Sequence, residues 1–501
     1  MQEPATLNPF TAVGAVALRA VLRYTHDALA DVDPQTGALR PALAERWTIQ
    51  DGGRRIRFSL RRGVEFSDGT PLTRADAAFT FALARIDGLP LGALGDVLAP
   101  VRALHLVGER DLEFELGEVT ATALPRLATG FLVVSEAHWR KVLGLGTADT
   151  ASALRDAGLA ARVRAVDRPG PGSGPFHVAQ WEPGSFLRLA HNPHSWRRAE
   201  RPEDWNLAAL SLRFVQDPAA RFTMLRQGEL DVFDDPNAEQ LIARHPELAE
   251  THRPLTYDHV GLGHFAVVWN HRRPPFGDRR VRTALSQCID RPGMARELFA
   301  GHARVSRGWF RPESKLDAES PDNAPRFDPD AARRQLAAAG IAAPRLHLMI
   351  AAGQAQHRRI VEFLAPSFLR AGVTLIAAPL EWGTLVTRLR AHDFDGVLLH
   401  ISLPQWPDPF LQFHSSQAAG GRNWAGYRDG EADAVLTKAH TEPDPVARHA
   451  LLLEFQRLFV RDQPISLLVY PLSSVLLHRR FQGVELGVLG LYPERWWVTG
   501  K

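Results

Sequence analysis

Alternating apolar and polar side chains mark the first clear strand of the chain. Ile56, Phe58 and Leu60 alternate with polar residues, and this period of two predicts a half-buried strand. Further on, Thr73 stands three residues before Asp76, a spacing typical of a helix that begins with a capping box. Together these patterns predict a small α+β region in the first third of the chain.

Between residues 326 and 401, apolar runs alternate with helical periods. Asp328 and Pro329 are typical of a helix start, and Gly340 is typical of a helix end. Strands are predicted at 345–351, 373–377 and 397–401, with helices between them at about 354–371 and 383–391. Strands that alternate with helices imply a parallel sheet with right-handed crossovers.

The composition indicates an ordinary globular protein with more than one lobe. The chain has 501 residues, 45% of them hydrophobic and 23% charged. Because a single core stops growing at ~250–300 residues, two or more lobes are expected. The net charge is +3 and the basic residues are scattered, so nucleic acid is not an expected partner. No run of about 18 apolar residues occurs, so no membrane span is predicted.

Cys288 is the single cysteine, which leaves no internal disulfide to predict. With Val281, Ala284 and Leu285 it occupies one apolar face of a predicted helix. We therefore expect a buried thiol and no nucleophile.

The start of the chain lacks a basic segment followed by an apolar one, so it does not resemble a signal peptide. We expect either a mature portion that restarts at Met1 or a truncated gene product. Export is therefore not predicted from this sequence by itself.

Short motifs occur in an order that one family shares. They are Gly63-Val-Glu-Phe-Ser-Asp-Gly-Thr-Pro-Leu-Thr73, Gly172-Ser-Gly-Pro-Phe176, Phe265-Ala-Val-Val-Trp-Asn270, Pro274-Pro-Phe-Gly-Asp278 and Trp406-Pro-Asp-Pro409. This order resembles the extracytoplasmic solute-binding proteins of ABC importers, specifically family 5, which binds peptides and nickel.

The resemblance implies a fold. It is an α/β, two-lobed periplasmic-binding-protein-like fold of type II, the large cluster C class, with an extra small α+β subdomain and a hinge between the lobes. Lobe I is expected to combine residues 1–30, 160–260 and 468–501. The extra subdomain is expected at 31–159, and lobe II at 261–467.

The resemblance also implies a function: a substrate-binding receptor of an ABC importer. Such a receptor captures a peptide or similar small solute in a cleft between the lobes and delivers it to a membrane permease. A monomer is expected, periplasmic or otherwise extracytoplasmic, associated with the membrane through the transporter, without cofactor or nucleic acid. A cytoplasmic ligand-sensing regulator fragment is one alternative. A receptor for a nickel chelate is another, since His400 and His414 flank the predicted ligand loop.

The predicted ligand loop follows the strand 397–401, because ligands of α/β sheets bind beyond the carboxyl ends of the strands. It carries Ser402, Gln405, Trp406 and Asp408. One interpretation gives the loop a stacking surface and a carboxylate acceptor for cargo. The alternative is a loop whose tryptophan packs on the lobe and whose carboxylate binds its own backbone amides. The resemblance favours ligand contact.

Gln405 departs from the resemblance, since peptide-binding members commonly carry there an aspartate for the free amine of the peptide. An amide offers no charge pairing, so capture through a free amine is not expected. Further candidates for the ligand site, each with a core or surface role as the alternative, are Trp269, Asn270, Tyr24, His26, Trp382, Arg422, Asn423 and Tyr427.

Motifs for catalysis were not found. The chain has no His-Glu-x-x-His, no Gly-x-Ser-x-Gly and no phosphate-binding loop. We therefore predict a binding protein and no enzyme.

Overall fold

The structure is a computed structural model that describes residues 3–12, 21–146, 154–259, 261–320 and 324–498. The chain divides into two compact units. The first combines Met1–Asp231 with His478–Lys501, and the second is Val232–Leu477. The predicted division into two lobes and an extra subdomain stays a prediction.

The first unit contains two main sheets. The larger has the strand order Ala44–Gln50, Arg55–Leu60, Asp111–Leu116, Val101–Val107, and the smaller has the order Phe176–Glu182, Phe186–His191, Ala209–Arg213. Short strand pairs join Ala30–Val32 with Leu39–Pro41, Phe481–Gln482 with Trp497–Val498, and Leu486–Gly487 with Gly490–Leu491. The helices are Arg23–Thr25, Arg74–Leu83, Ala93–Leu98, Ala123–Gly130, Glu136–Leu143, Leu159–Arg164, Trp196–Glu200 and Pro218–Arg226, with single 3-10 turns at Asp51–Gly53 and Pro493–Arg495.

The predicted strand and capping box are confirmed in this unit. Phe58 is fully buried at the centre of the four-stranded sheet. The Thr73 side chain accepts a hydrogen bond from the Ala75 amide, and Asp76 accepts one from the Thr73 amide at 2.8 Å. Each sheet of the unit has a separate apolar core.

The second unit is built on a five-stranded sheet. Its order is Thr374–Leu380, Arg345–Ala351, Gly396–Ser402, Gly263–Trp269, Ser466–Leu467. A three-stranded sheet has the order Val232–Asp234, Ser473–His478, His252–Tyr257, and Ala303–Val305 pairs with Val469–Pro471. The helices are Ala238–Arg244, Leu248–Thr251, Arg279–Gln287, Arg291–Leu298, Lys315–Ala318, Pro329–Ala338, Ala355–Arg370, Trp382–Arg390, Phe410–Phe413, Gly430–Thr441 and Pro445–Asp462, with a 3-10 turn at Ser415–Gln417.

The five-stranded sheet is covered on both faces. Along Gly263–Trp269 every residue is buried. Ala266 and Val268 pack into one core, and Phe265 and Val267 pack into the other. Such double coverage explains why the strands of this sheet are apolar runs.

The prediction of a parallel sheet is confirmed for only part of it. Arg345–Ala351 pairs in parallel with Thr374–Leu380 and with Gly396–Ser402. Gly263–Trp269, however, runs antiparallel to Gly396–Ser402, so the sheet is mixed. This strand comes from the chain before the α/β alternation begins, and its direction is set by pairing and not by a crossover helix.

The helix that carries Cys288 at its end begins as expected. The Asp278 side chain caps it by accepting from the Arg280 amide, and Cys288 is completely buried. Burial raises the pKa of the Cys288 thiol to about 12, which disfavours the thiolate.

Candidate functional site

Three parallel strands of the second unit end at the same edge of the sheet. Ala351 is the register partner of Leu380, and Met349 is the partner of Val397. The segments that follow these strands therefore share one edge, which we call the carboxyl edge. In α/β sheets this is the edge where ligands bind.

The predicted ligand loop lies at the carboxyl edge. Ser402 is exposed, Gln405 and Trp406 are half-buried, and Leu403 between them is buried. The Leu403 amide donates to the Leu262 carbonyl at 2.9 Å, which fixes the start of the loop. Among the described residues the Trp406 indole N–H has no hydrogen-bond partner. Trp406 therefore offers an aromatic face and a free donor.

Asp408 is already engaged by the protein. Its Oδ2 lies 2.8 Å from Nδ1 of His440, and its Oδ1 accepts from the Phe410 amide at 3.3 Å. The Asp408 side chain is only 10% exposed. These contacts correspond to the alternative in which Asp408 anchors its own loop, and they argue against the expectation that Asp408 binds cargo.

A cavity of about 290 Å³ opens at the same edge, beside the helix Ala355–Arg370. It is lined by Gly353, Gln354, Arg358, Arg359 and Pro379, among others. Neither guanidinium has a carboxylate partner in the described part of the chain. The cavity therefore presents two uncompensated positive charges.

Two histidines flank Phe265 at this edge. The ring of His400 lies 5.1 Å from the Phe265 ring, and that of His357 lies 5.9 Å from it. Nδ1 of His357 is buried and has no partner among the described residues. Desolvation lowers the pKa of both histidines, and their mutual repulsion lowers that of His400 further. Two neutral imidazoles offer both donors and acceptors.

Trp382 opens the helix Trp382–Arg390, directly after another of the parallel strands. Its side chain is 59% exposed, the largest exposure of a tryptophan in the described chain. The carboxylate of Glu381 caps this helix by accepting from the amides of Gly383 and Thr384 at 2.8 and 3.3 Å. Glu381 is thus occupied, and Trp382 is free to contact a solute.

Other candidates from the sequence lie in the core of the second unit. Trp269 is 1% exposed, stacks on Phe276 at 5.3 Å and donates to the Ser466 hydroxyl at 3.0 Å. The Asn270 side-chain amide donates to the carbonyls of His392 and Phe394. These contacts hold the end of the strand Gly263–Trp269, and they are structural.

Asn423 and Tyr427 form a closed turn away from solvent. The Asn423 side chain donates to the Tyr427 carbonyl at 2.9 Å and accepts from the Tyr427 amide at 3.0 Å. The Tyr427 hydroxyl donates to Asp462 at 2.7 Å. Both residues are almost fully buried, whereas the neighbouring Arg422 is exposed. Ligand contact by the buried candidates stays a prediction without support in these contacts.

Tyr24 belongs to the first unit, where it packs edge-on against Phe176 and Trp205. The adjoining His26 is buried, and burial lowers its pKa to about 4. The chain passes so close here that a Cβ on Gly172 would lie 2.0 Å from the Thr25 carbonyl oxygen. The glycines of this motif therefore serve backbone packing.

Arg358, Arg359 and His357 are further candidates at this edge, which the sequence reasoning missed. They follow the strand 345–351, and the rule that selected the loop after 397–401 applies equally to this strand. The signal was present in Gly353 and Gln354, a turn between a predicted strand and a predicted helix.

The described residues contain neither a metal-binding cluster nor a membrane-spanning helix. No three histidine, cysteine, aspartate or glutamate side chains come together as metal ligands there. In the same residues, no helix has the length and apolarity to span a membrane.

A doubly covered α/β sheet with an open carboxyl edge is typical of proteins that bind small solutes at that edge. The sequence profile of the bacterial extracellular solute-binding proteins, family 5 (Middle), matches residues 38–423. The chain belongs to this family. The members of the family bind solutes and are not classed as enzymes.

Individual relatives agree with this assignment. The chain is 27% identical to the peptide transport periplasmic protein SapA of Salmonella typhimurium, over 97% of this chain and 87% of SapA. A dipeptide-binding protein of Pseudoalteromonas, solved with Met-Leu, has a TM-score of 0.77 at 22% identity, covering 99% of this chain and 98% of that one. NikA of Brucella suis, solved with Fe(III)-EDTA, has a TM-score of 0.81 at 17% identity, covering 99% and 98%.

The predicted fold class, the two-lobed periplasmic-binding-protein fold, is confirmed by these likenesses. Nothing among the relatives favours the alternative of a transcriptional regulator. The alternative of a metal-chelate receptor stays a prediction.

Proposed function

We propose that this protein is the peptide receptor of an ABC importer and that it holds the carboxyl end of its cargo at the carboxyl edge of the second unit. The observation that carries the proposal is the cavity beside Arg358 and Arg359, whose charges have no described partner. A guanidinium pairs with a carboxylate through charge-assisted hydrogen bonds, which are about twice as strong as neutral ones.

The state of the acidic groups at this edge also supports binding of the carboxyl end of a peptide. Asp408 is paired with His440, and Glu381 caps a helix. Gln405 is neutral. The edge therefore offers two cations, while the carboxylates of Asp408 and Glu381 are occupied, which favours the carboxylate end of a peptide over its ammonium end.

Trp406 supplies the apolar contact in this proposal. Its half-buried indole can stack on a side chain or on a peptide plane, and its free N–H can donate to a cargo carbonyl. The exposed Trp382 offers a second aromatic surface at the same edge. Neutral His357 and His400 add hydrogen bonds without adding charge.

The wider role follows from the family. We propose a monomer that works outside the cytoplasm, delivers intact cargo to a membrane permease and does not turn it over. Incubation with a peptide library should give retention without cleavage. Cleavage in proportion to protein concentration would contradict this.

The identity of the cargo is tested first. Native mass spectrometry of the purified protein should detect bound peptides, and their sequences define a probe. Binding of that probe is then compared with its carboxyl-terminal amide and its N-acetyl form. Amidation should weaken binding tenfold or more, since a hydrogen bond to a charged group contributes roughly 1.5–3 kcal/mol. Acetylation should change the affinity little.

Substitutions of the two arginines test whether they bind the peptide carboxylate. Arg358→Gln and Arg359→Gln should each reduce the difference between the free acid and the amide. Arg390→Gln is the matched control, because Arg390 is also exposed and has no ion-pair partner in the described ranges, but it lies at the far end of the helix Trp382–Arg390. Equal affinity of the free acid and the amide would contradict the proposal that the protein binds the carboxyl end of the peptide.

Closure on cargo is the remaining part of the proposal. The family resemblance predicts that two lobes close around the solute by a hinge motion. Small-angle scattering should show a smaller radius of gyration at saturating cargo. An unchanged radius would contradict the hinge.

A further inference from the structure

The protein holds the chain on both sides of the segment 404–406. On one side, Leu403 is buried and its amide is bonded to Leu262. On the other side, the Pro407 carbonyl accepts a hydrogen bond from Arg448 at 2.5 Å. Proline at 404 and at 407 restricts the backbone between these points. The direction of the Trp406 ring therefore depends on both of them.

Arg448 joins the loop to a helix. Its Nη2 donates to Pro407, and its Nε donates to the Ala439 carbonyl at 2.9 Å, near the end of the helix Gly430–Thr441. One guanidinium thus bridges two backbone carbonyls from segments more than 30 residues apart. Arg448 has the reach and the fork geometry for this bridge, which few other side chains have.

His440, in the last turn of the same helix, makes the second connection. Its Nδ1 lies 2.8 Å from the Asp408 carboxylate, and both side chains are nearly buried. The His440 ring also stacks on Phe410 with centroids 4.3 Å apart and planes 19° from parallel. His414 stacks on Phe410 at the same distance and angle. The sandwich fixes the plane of His440 and so the position of Asp408.

We infer that Arg448 and His440 are positioning residues that hold Trp406 in the orientation used for cargo. They contact the loop at Pro407 and Asp408, the two residues that follow Trp406. The inference rests on the proposed role of Trp406 in binding. In this inference the Asp408 carboxylate connects the loop to His440. It therefore fixes the orientation of Trp406 and does not bind cargo.

The mechanism is preorganisation. A loop that is fixed before binding loses less conformational freedom when cargo arrives. Without the two connections, the backbone at Pro407 and Asp408 would sample more conformations in the free protein, and Trp406 with it. Each binding event would then select the one in which the indole faces the cargo, and affinity would fall although every contacting residue is still present.

The test observes Trp406 directly. Protein labelled with 5-fluorotryptophan contains twelve tryptophans, and the fluorine resonance of Trp406 is the one that disappears in Trp406→Phe. Arg448→Met and His440→Gln should each shift or broaden this resonance in the cargo-free protein. The resonance of Trp269, assigned in the same way, should stay in place because that indole is held by Ser466.

Binding is measured in parallel with a random tripeptide library as the probe, as the fraction of protein that carries a peptide in native mass spectra. Arg448→Met should reduce retention roughly tenfold, and Arg448→Lys should restore part of it by donating to one carbonyl. His449→Gln is the matched control, since the neighbouring His449 contacts Glu319 at 2.6 Å and not the loop.

The outcomes separate the two ideas. If neither variant moves the Trp406 resonance, the positioning inference is wrong. If the resonance moves but peptide retention does not change, the inference is also wrong, because orientation would then be irrelevant to binding. If Trp406→Ala itself leaves retention unchanged, the proposed function of Trp406 fails, whatever the resonance of the positioning variants shows.

Discussion

Replacing Tyr427 by Phe distinguishes ligand contact from a structural role at one of the buried candidates. The Tyr427 hydroxyl donates to Asp462 at 2.7 Å, and both residues are nearly inaccessible to solvent. Asp462 keeps two hydrogen bonds from Arg461, both at 2.8 Å, and a longer one from Arg279 at 3.4 Å. The substitution therefore removes a single hydrogen bond to a buried carboxylate and keeps the aromatic ring.

The expected cost follows from these contacts. A hydrogen bond to a charged group contributes roughly 1.5–3 kcal/mol. Because Arg461 remains paired with Asp462, we expect the lower part of this range, about 1.5–2 kcal/mol in the stability of the second unit. The affinity for cargo should be unchanged, since the hydroxyl does not face solvent.

The loss should depend on pH in a defined direction. Burial alone would raise the pKa of Asp462, but hydrogen bonds from Arg461 and Tyr427 outweigh it and hold this pKa below its usual range. A carboxylate with a depressed pKa stabilises the fold above the pKa of the unfolded chain, near 3.9, and loses that contribution as the pH falls through its folded pKa. The effect of Tyr427→Phe should therefore be largest near neutral pH and shrink below about pH 4.

Hydrogen exchange of the buried strand Gly263–Trp269 measures the opening of the second unit. Tyr427→Phe should accelerate exchange roughly 10- to 30-fold at pH 7. Tyr257→Phe is the matched control, because the Tyr257 hydroxyl has no described hydrogen-bond partner. Unchanged exchange together with a tenfold loss of peptide retention would refute this account and return Tyr427 to the ligand site.

Three further predictions concern the stability of each unit. Gly174→Ala should lower stability by about 3 kcal/mol, since its Cβ would lie 2.5 Å from the Tyr24 carbonyl oxygen. The melting temperature measures this loss. Gly420→Ala is the control, because a Cβ on Gly420 would have no described atom within 4 Å. Asp27→Ala should cost about 3–5 kcal/mol in chemical denaturation, because it leaves a buried guanidinium without its closest partner; an Asn replacement should cost less. Burial lowers the pKa of His264 to about 4. Stability should therefore be full above pH ~6.5 and fall towards pH 4, because the unfolded chain takes up a proton on this histidine before the folded chain does. A His264→Gln variant should show a flatter pH profile of hydrogen exchange.

Local signals in the sequence were enough to predict elements whose ends are set by local contacts. Thr73 and Asp76 form the predicted capping box, and Asp328 caps the helix that begins at Pro329. The strands of the α/β region were predicted for the same reason, since their apolar runs reflect burial on both faces. The direction of Gly263–Trp269 was not predictable in this way, because it depends on its pairing with a strand more than 130 residues later in the chain.

In the candidate site, too, features set by local sequence could be predicted and features set by distant contacts could not. The position of Trp406 after a parallel strand could be predicted, because the end of a strand is a local feature. The pairing of Asp408 could not, because its partner His440 lies 32 residues further along the chain. Tyr427 and Trp269 looked like ligand residues by type, but burial is a tertiary property that a single aromatic residue does not reveal.

Charge at the carboxyl edge connects these observations to the choice of cargo. A receptor that bound a peptide amine there would need a carboxylate free to pair with it, yet Asp408 already contacts His440 at 2.8 Å. The same side chain cannot do both tasks at full strength, because a buried carboxylate shared between His440 and a ligand ammonium would divide its hydrogen bonds between them. Gln405 beside it adds no charge. In the proposed function, discrimination falls to Arg358 and Arg359, which have no carboxylate partner among the described residues and stand on a helix that begins at the edge. If the protein recognises the carboxylate of the cargo and stacks one fixed indole on it, the amino end of the cargo is not recognised. Peptides that differ in amino-terminal sequence should therefore bind with similar affinity.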